Sequence, residues 1–228
     1  MKHQKTIIVE FNGLAGLGKT TVANSLKEEL RKEGYCVIGW YRHNFFHSLR
    51  PMFAIPYSFS LYLKVRRYAD SIEPFRKDRK YVHWVNHFVR MYRSIEKHSD
   101  ADFSISDEGI IQFLVAMGLN DRFPHTDLLD DVVKKIKSMG VYFVRVDCES
   151  RVDISVDRIM SRLPKGMYYE KWPKDQLTNQ LQAEADNFAY LRSVFSRVFP
   201  DQLTITIDTL YAPEENAIKI KEIITKIR

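Results

Sequence analysis

The sequence of 228 residues is poor in cysteine and contains no long uninterrupted apolar run. Its two cysteines, Cys36 and Cys148, lie in separate strand-like segments without the spacing of a metal site or a redox pair, which predicts a reducing, cytoplasmic setting. No stretch approaches roughly 18 apolar residues and no extended apolar region opens the chain, so we expect a protein that is neither exported nor membrane-spanning. Internal repeats, low-complexity tracts and an interdomain linker are also lacking, and we expect a single domain over residues 1–228.

Acidic residues are outnumbered by basic ones, and the formal net charge is +6. Such a balance suits either a nucleic acid or a polyphosphate ligand, and charge alone does not separate the two. The densest basic stretch begins at Arg76 and ends at Lys80. It is interpreted as a solvated helix face, an acceptor-phosphate site that includes Arg76, or a nucleic-acid surface. A nucleic-acid partner is the least expected of the three.

The segment Gly-Leu-Ala-Gly-Leu-Gly-Lys-Thr, residues 13–20, matches the phosphate-binding pattern G-x-x-x-x-G-K-[ST] at every position. The apolar run Thr6–Phe11 before it predicts a buried strand, and the apolar spacing over Thr20–Lys32 predicts a helix. Strand, glycine loop and helix form the context in which this pattern binds a nucleoside triphosphate. The predicted nucleotide-binding residues are Gly13, Leu14, Ala15, Gly16, Leu17, Gly18, Lys19, Thr20 and Thr21.

The residue types of this loop agree with phosphate chemistry. Glycines permit backbone conformations and close approaches that a Cβ would block, so successive N–H groups can surround a polyphosphate at the positive end of the following helix. Lys19 is predicted to contact the β- and γ-phosphates, and the Thr20 hydroxyl to ligate Mg²⁺. ATP and Mg²⁺ are therefore the expected cofactors.

Four further strand patterns alternate with helical patterns along the chain. We predict strands at Tyr35–Trp40, Ala101–Ser106, Val141–Asp147 and Leu203–Ile207, and helices at Gly109–Met117, Thr126–Met139, Ser150–Arg162, Lys174–Phe199 and Pro213–Ile227. This alternation predicts a three-layer α/β fold, with a five-stranded parallel sheet that helices cover on both faces. The ligand cleft is expected beyond the carboxyl ends of the strands. An aromatic-rich insertion is predicted over about residues 45–98, and its second half is helical by pattern.

Two carboxylates, Asp107 and Glu108, follow the third predicted strand. They would emerge at the sheet edge where the glycine loop opens, so Asp107 is predicted to organise Mg²⁺ or to accept the proton of an attacking hydroxyl. Glu108 would then take the remaining role. The alternative is that Asp107 only caps the helix that follows.

Arg158 and Arg162 lie four residues apart, which places both on one helix face ahead of a loop with Pro164 and Gly166. Two arginines in this position are suited to neutralising a transferring phosphoryl group beneath a lid, predicted over about residues 158–175. Surface ion pairing is the alternative.

Two other segments after strands carry candidate site residues. Asp208 after the fifth strand would border the donor base. Arg42 and His43 after the second strand would orient an acceptor or merely face solvent.

This ordered set resembles the P-loop nucleoside and nucleotide kinases, especially the thymidylate-kinase-like branch. The resemblance rests on the segment from Glu10 to Thr21, on Asp107-Glu-Gly109, on the Arg158 and Arg162 pair, and on the segments Ile207-Asp-Thr and Pro213-Glu-Glu215. It implies a core over residues 1–44, 99–149 and 200–228, an acceptor-binding insertion over about 45–98, and a lid after the fourth strand. It also implies a homodimer.

The expected activity is transfer of the γ-phosphoryl group of ATP to a nucleoside or nucleoside monophosphate. The chain has Asp107-Glu108 where thymidylate kinases have an Asp-Arg pair, and this difference leaves the acceptor open. A sugar or an antibiotic is the alternative acceptor. A nucleotide-hydrolysing regulatory module is the alternative from another class, although the Asn-Lys-x-Asp segment of guanine-specific switches is missing.

Overall fold

The computed structural model describes residues 6–39, 101–109, 112, 142–162 and 172–228. Within these ranges the five strands form a single parallel sheet in the order β2-β3-β1-β4-β5. The strands are β1 (Ile7–Asn12), β2 (Val37–Gly39), β3 (Phe103–Ser106), β4 (Tyr142–Glu149) and β5 (Leu203–Asp208). All five carboxyl ends therefore meet at one edge of the sheet.

The central strand β1 positions the glycine loop. It pairs with β3 on one side, with Glu10 opposite Ser106, and with β4 on the other side, with Asn12 opposite Asp147. All six of its residues are buried, because the strand has neighbours on both edges and helices over both faces. The loop that follows β1 thus starts from the most enclosed strand of the sheet.

Four helices in the described ranges cover the sheet, and they are α1 (Lys19–Lys32), α2 (Val152–Met160), α3 (Lys174–Val198) and α4 (Pro213–Ile224). Helix α1 packs against α4, and α2 packs against α3. Apolar residues spaced three and four apart on α1, namely Val22, Ala23, Leu26 and Leu30, are buried in the core, which explains why this segment forms an amphipathic helix. Pro213 occupies the first turn of α4, where its missing N–H is not needed.

The predicted fold class is confirmed, since the strands are parallel, five in number and covered by helices. The described strand ends differ from the predicted ones by at most two residues, and α2 is two residues shorter at each end than the predicted helix 150–162. The helices predicted at 109–117 and 126–139 fall almost entirely outside the described residues, as does the insertion at 45–98. Of the predicted lid, only residues 158–162 and 172–175 are described.

None of the helices in the described ranges combines the length and the apolar composition that crossing a bilayer requires.

Candidate phosphate-binding site

The glycine loop closes around its own lysine. Lys19 is the first residue of α1 and is buried, and its Nζ donates hydrogen bonds of 2.7 Å to the carbonyl oxygens of Gly13 and Leu14. The backbone of the loop therefore provides two hydrogen-bond acceptors for the Lys19 ammonium. This geometry agrees with the predicted role of Lys19 at a polyphosphate.

The loop is held tightly against the neighbouring strand β4. Gly13 has a φ of +143°, and a Cβ at this position would lie 2.5 Å from the carbonyl oxygen of Cys148. Both the backbone conformation and the close approach require glycine here. Leu14 and Leu17 turn their side chains into the core, whereas Ala15 is partly buried and Thr21 is exposed.

The hydroxyl of Thr20 and the carboxylate of Asp107 are in direct contact. Thr20 Oγ1 donates a hydrogen bond of 2.5 Å to Asp107 Oδ2, which joins the first turn of α1 to the segment after β3. The sequence placed these two groups at one edge of the sheet, and the structure brings them together. A hydroxyl and a carboxylate supply the oxygen ligands that Mg²⁺ prefers, and Mg²⁺ commonly binds through one or two protein groups together with phosphates and waters.

Glu108 lies beside this pair with an exposed side chain. Its backbone is fixed by Ser106, whose hydroxyl donates to the Glu108 carbonyl at 2.8 Å and accepts from the Glu108 N–H at 3.3 Å. The two acidic residues after β3 therefore differ in environment, because Asp107 is half-buried and hydrogen-bonded to Thr20 while Glu108 is exposed.

Burial lowers the pKa of Lys19. The negative charges of the Glu108, Glu184 and Asp107 carboxylates oppose this shift. Glu184 belongs to α3 and is itself buried. The lysine thus lies among carboxylates from two parts of the fold, in a site where an added phosphate would again favour the charged ammonium.

The tip of the loop rests on α2. A Cβ on Gly16 would lie 3.0 Å from the Ser155 carbonyl oxygen and 3.1 Å from Ile159 Cγ1. The helix that carries Arg158 therefore touches the glycine loop, and Arg162 follows just beyond the end of that helix.

Arg158 ties α2 to the segment after β5. Its Nη2 donates to the carbonyl oxygen of Thr209 at 3.0 Å, and the Thr209 hydroxyl lies 3.5 Å from the carbonyl oxygen of Glu149. Arg162 is exposed just beyond the end of α2. The predicted contact of both arginines with a transferring phosphoryl group stays a prediction.

Asp208 ends β5 and begins a tight turn. Its Oδ1 accepts from the Leu210 N–H at 2.8 Å, and its carbonyl oxygen accepts from Asn216 Nδ2 at 2.9 Å. Asp208 also lines a cleft of about 500 Å³ that reaches Gly13 of the loop and Phe188 of α3. The loop after β5 thus lies beside the glycine loop as expected, and the role of Asp208 at a donor base is untested.

An ion network lies behind the glycine loop. The buried Arg145 donates through Nε to Oδ2 of the buried Asp147 at 3.1 Å. The partly exposed Arg192 of α3 lies 3.5 Å from the same oxygen and donates to Oε1 of the exposed Glu149 at 3.3 Å. Burial raises the pKa of the Asp147 carboxyl, and the two guanidinium groups oppose that shift. The network fixes α3 to β4, and with it the position of Glu184.

Sequence reasoning missed several residues of this region. Three of them are polar residues within helical patterns, namely Glu184, Arg192 and Lys27. Their roles follow from their contacts in the folded structure, which the sequence pattern does not indicate. Asn12, directly before the loop, offered a local signal, because it is a polar residue at the end of a mostly apolar strand; in the sheet it lies opposite Asp147. The predicted acceptor residues Arg42, His43 and Arg76 lie outside the described residues.

Comparison with known proteins supports the fold. No protein-family model matches the chain. A segment of 37 residues, 16% of the chain, is 49% identical to the adenylyl-sulfate kinase of Halothermothrix orenii, and the chain spans only 20% of that relative's length.

Two solved structures of deoxyadenosine kinase from M. mycoides are similar over nearly the whole chain. The structure with the products dCMP and dCDP has a TM-score of 0.54 and 13% identity, and the structure with dATP has a TM-score of 0.52 and 11% identity. Each match covers 96% of this chain and 99% of the other. At such low identity the likeness concerns architecture alone, so the chain shares the fold of this deoxyadenosine kinase.

Proposed function

We propose that the protein is an ATP- and Mg²⁺-dependent phosphotransferase whose acceptor is a small molecule, a nucleoside or a nucleoside monophosphate. The observation that carries the proposal is the arrangement at the glycine loop, where the buried Lys19 is adjacent to the Thr20 and Asp107 pair. The shared fold with deoxyadenosine kinase supports this proposal. The sequence similarity to adenylyl-sulfate kinase supports the kinase class as well.

Lys19 and the loop amides would bind the donor phosphates. The ammonium now donates to two carbonyl oxygens of its own loop, so a phosphate would take over one or both of these hydrogen bonds. Hydrogen bonds between charged groups are stronger than those to neutral carbonyls, which favours this exchange. The buried position of Lys19 strengthens its attraction to phosphate further.

The pair of Thr20 and Asp107 fits Mg²⁺, which when bound would neutralise charge on the donor phosphates. Among the described residues no cluster of three or more acidic, histidine or cysteine side chains forms a complete metal cage. That is compatible with an ion that binds together with its nucleotide.

Glu108 is then the proton acceptor when the acceptor attacks through a hydroxyl, whereas the phosphate oxygen of a monophosphate acceptor is already ionised and needs no base. Asp107 is hydrogen-bonded to Thr20, and Glu108 is exposed at the same edge of the sheet. Arg162, beyond the end of α2, would approach the transferring phosphoryl group, and Arg158 would hold α2 beside the loop after β5. This division of roles assigns one carboxylate to the metal and the other to the proton.

The test is an incubation of the protein with Mg²⁺-ATP and a panel of nucleosides, nucleoside monophosphates, adenylyl sulfate, sugars and aminoglycosides, with ADP and product followed by mass. A product with one acceptor class is expected, and it should be lost in Lys19→Ala and in Asp107→Asn. Lys32→Ala, an exposed position on the same helix, is the matched control. ADP release that depends on Lys19 but on no acceptor would favour the regulatory module instead.

A cytoplasmic location and a homodimer belong to the same proposal. They rest on the family resemblance and on the cysteine content alone. Light scattering during size-exclusion chromatography gives the mass in solution, and the mass of one chain, 26.9 kDa, would rule out the dimer.

A further inference from the structure

A polar stripe runs along α1 away from the glycine loop. Thr20, Asn24, Lys27 and Arg31 follow one another at steps of four, three and four residues and therefore share one face of the helix. Thr20 contacts Asp107 after β3, while Arg31 donates to the Val37 carbonyl oxygen of β2 at 3.1 Å. The stripe therefore faces the β3 and β2 side of the sheet.

Lys27 lies in the middle of this stripe, at the end of β2. A Cβ on Gly39, the last residue of β2, would be 3.3 Å from both Cε and Nζ of Lys27. The ammonium reaches back one helical turn, where it donates to Asn24 Oδ1 at 3.3 Å. The Lys27 ammonium is thus directed toward the N-terminal end of α1 and the sheet edge that carries Asp107, and not toward the C-terminal end of the helix.

The Lys27 ammonium is half-buried, and within the described part of the chain no carboxylate lies at ion-pair distance from it. Lys32 on the same helix, by contrast, contacts Glu29 at 2.6 Å. Burial lowers the pKa of Lys27, and the negative charge of Asp107 opposes that shift, so the two groups are within electrostatic reach. Among the described residues, the half-buried Lys27 ammonium has its hydrogen bond to a neutral amide, so an anionic ligand would stabilise its charge.

We propose that Lys27 binds a phosphate group of the acceptor, and hence that the acceptor class is a phosphomonoester such as a nucleoside monophosphate. This inference rests on the proposed function, since it places the acceptor at the edge where Asp107 stands. The amide of Asn24 accepts from Lys27 through Oδ1 and so holds the ammonium on the side of the helix that faces this edge. A neutral nucleoside would bring no negative charge to this ammonium.

The alternative role of Lys27 is packing, because its aliphatic part covers Gly39. Lys27→Met keeps that contact and removes only the charge, so it separates the two roles. Lys27→Arg restores the charge, and Lys32→Met, on an exposed side chain of the same helix, is the matched control.

Binding is measured by calorimetry for two pairs, deoxyadenosine with dAMP and thymidine with dTMP, both with and without a non-hydrolysable ATP analogue. At least one monophosphate should bind about tenfold or more tightly than its nucleoside. Lys27→Met should remove that advantage and leave nucleoside and ATP-analogue affinities unchanged, while Lys27→Arg should recover most of it.

The inference is overturned if neither monophosphate is preferred over its nucleoside, or if Lys27→Met binds the monophosphates as tightly as the wild type. Failure of the proposed function has a different signature, which is absence of ATP-analogue binding and of product with every acceptor. Because acceptor binding is measured without turnover, each outcome decides about Lys27 on its own.

Discussion

The contact between Gly13 and Cys148 provides a quantitative test of how the glycine loop is held. Gly13→Ala would place a methyl group 2.5 Å from the Cys148 carbonyl oxygen, at a backbone φ of +143°. A positive φ of this kind costs an L residue about 1–3 kcal/mol, and overpacking adds about 1–3 kcal/mol. We expect a total destabilisation of about 3 kcal/mol.

Gly34→Ala is the matched control. Gly34 also has a positive φ, +86°, but a Cβ there would meet no heavy atom within 4 Å. The substitution should therefore cost only the backbone strain, about 1 kcal/mol. The difference between the two variants contains the steric term at Cys148 and the greater backbone strain at a φ of +143°.

The measurement is urea unfolding followed by circular dichroism, with the free energy of unfolding extrapolated to water. ATP-analogue affinity, measured on the folded variants, should fall for Gly13→Ala and stay unchanged for Gly34→Ala. If Gly13→Ala is no less stable than Gly34→Ala, the loop is not packed against β4 as described, and the reasoning about its rigidity fails.

Three further predictions concern groups outside the loop. Burial raises the pKa of the Cys148 thiol to about 12, so iodoacetamide at pH 8 should label the exposed Cys36 and leave Cys148 unmodified, as peptide mass mapping would reveal. Arg228 lowers the pKa of Asp102, so this pair stabilises the fold above the ordinary aspartate pKa of 3.8 and loses that contribution as the pH falls. In Arg228→Gln the free energy of unfolding should therefore decrease less steeply as the pH is lowered through this range. Arg145→Met removes a hydrogen-bonded guanidinium from the buried Asp147 carboxylate but leaves Arg192 at 3.5 Å, so it should cost about 1–3 kcal/mol in urea unfolding.

Much of the donor side of the site could be predicted from sequence, because its signals are local. The glycine loop is contiguous, and the strand before it and the helix after it carry their own periodicities. Asp107 was also predictable, since the carboxyl ends of parallel strands meet at one edge of the sheet, and its contact with Thr20 follows from that topology.

Interactions between distant helices and strands were not predictable. Glu184 and Arg192 lie on α3, more than 30 residues after the end of β4, and nothing in their local pattern indicates that they approach Lys19 or Glu149. The position of Lys27 beside Gly39 likewise depends on the angle at which α1 crosses β2. Such contacts depend on how helices and strands pack against each other, and no local sequence pattern indicates that packing.

The unequal lengths of the strands have a consequence for hydrogen exchange. Opening β1 requires that two ladders break at once, against β3 and β4, whereas β2 has three residues and one partner strand among those described. Amides of β1 should therefore exchange only through global unfolding, and those of β2 through local openings of lower free energy. The donor phosphates would then be bound beside the strand whose amides are most protected. Lys27 lies beside β2, which would open locally without unfolding of the rest of the sheet. Structural adjustment to a different acceptor at β2 would therefore leave the glycine loop unchanged.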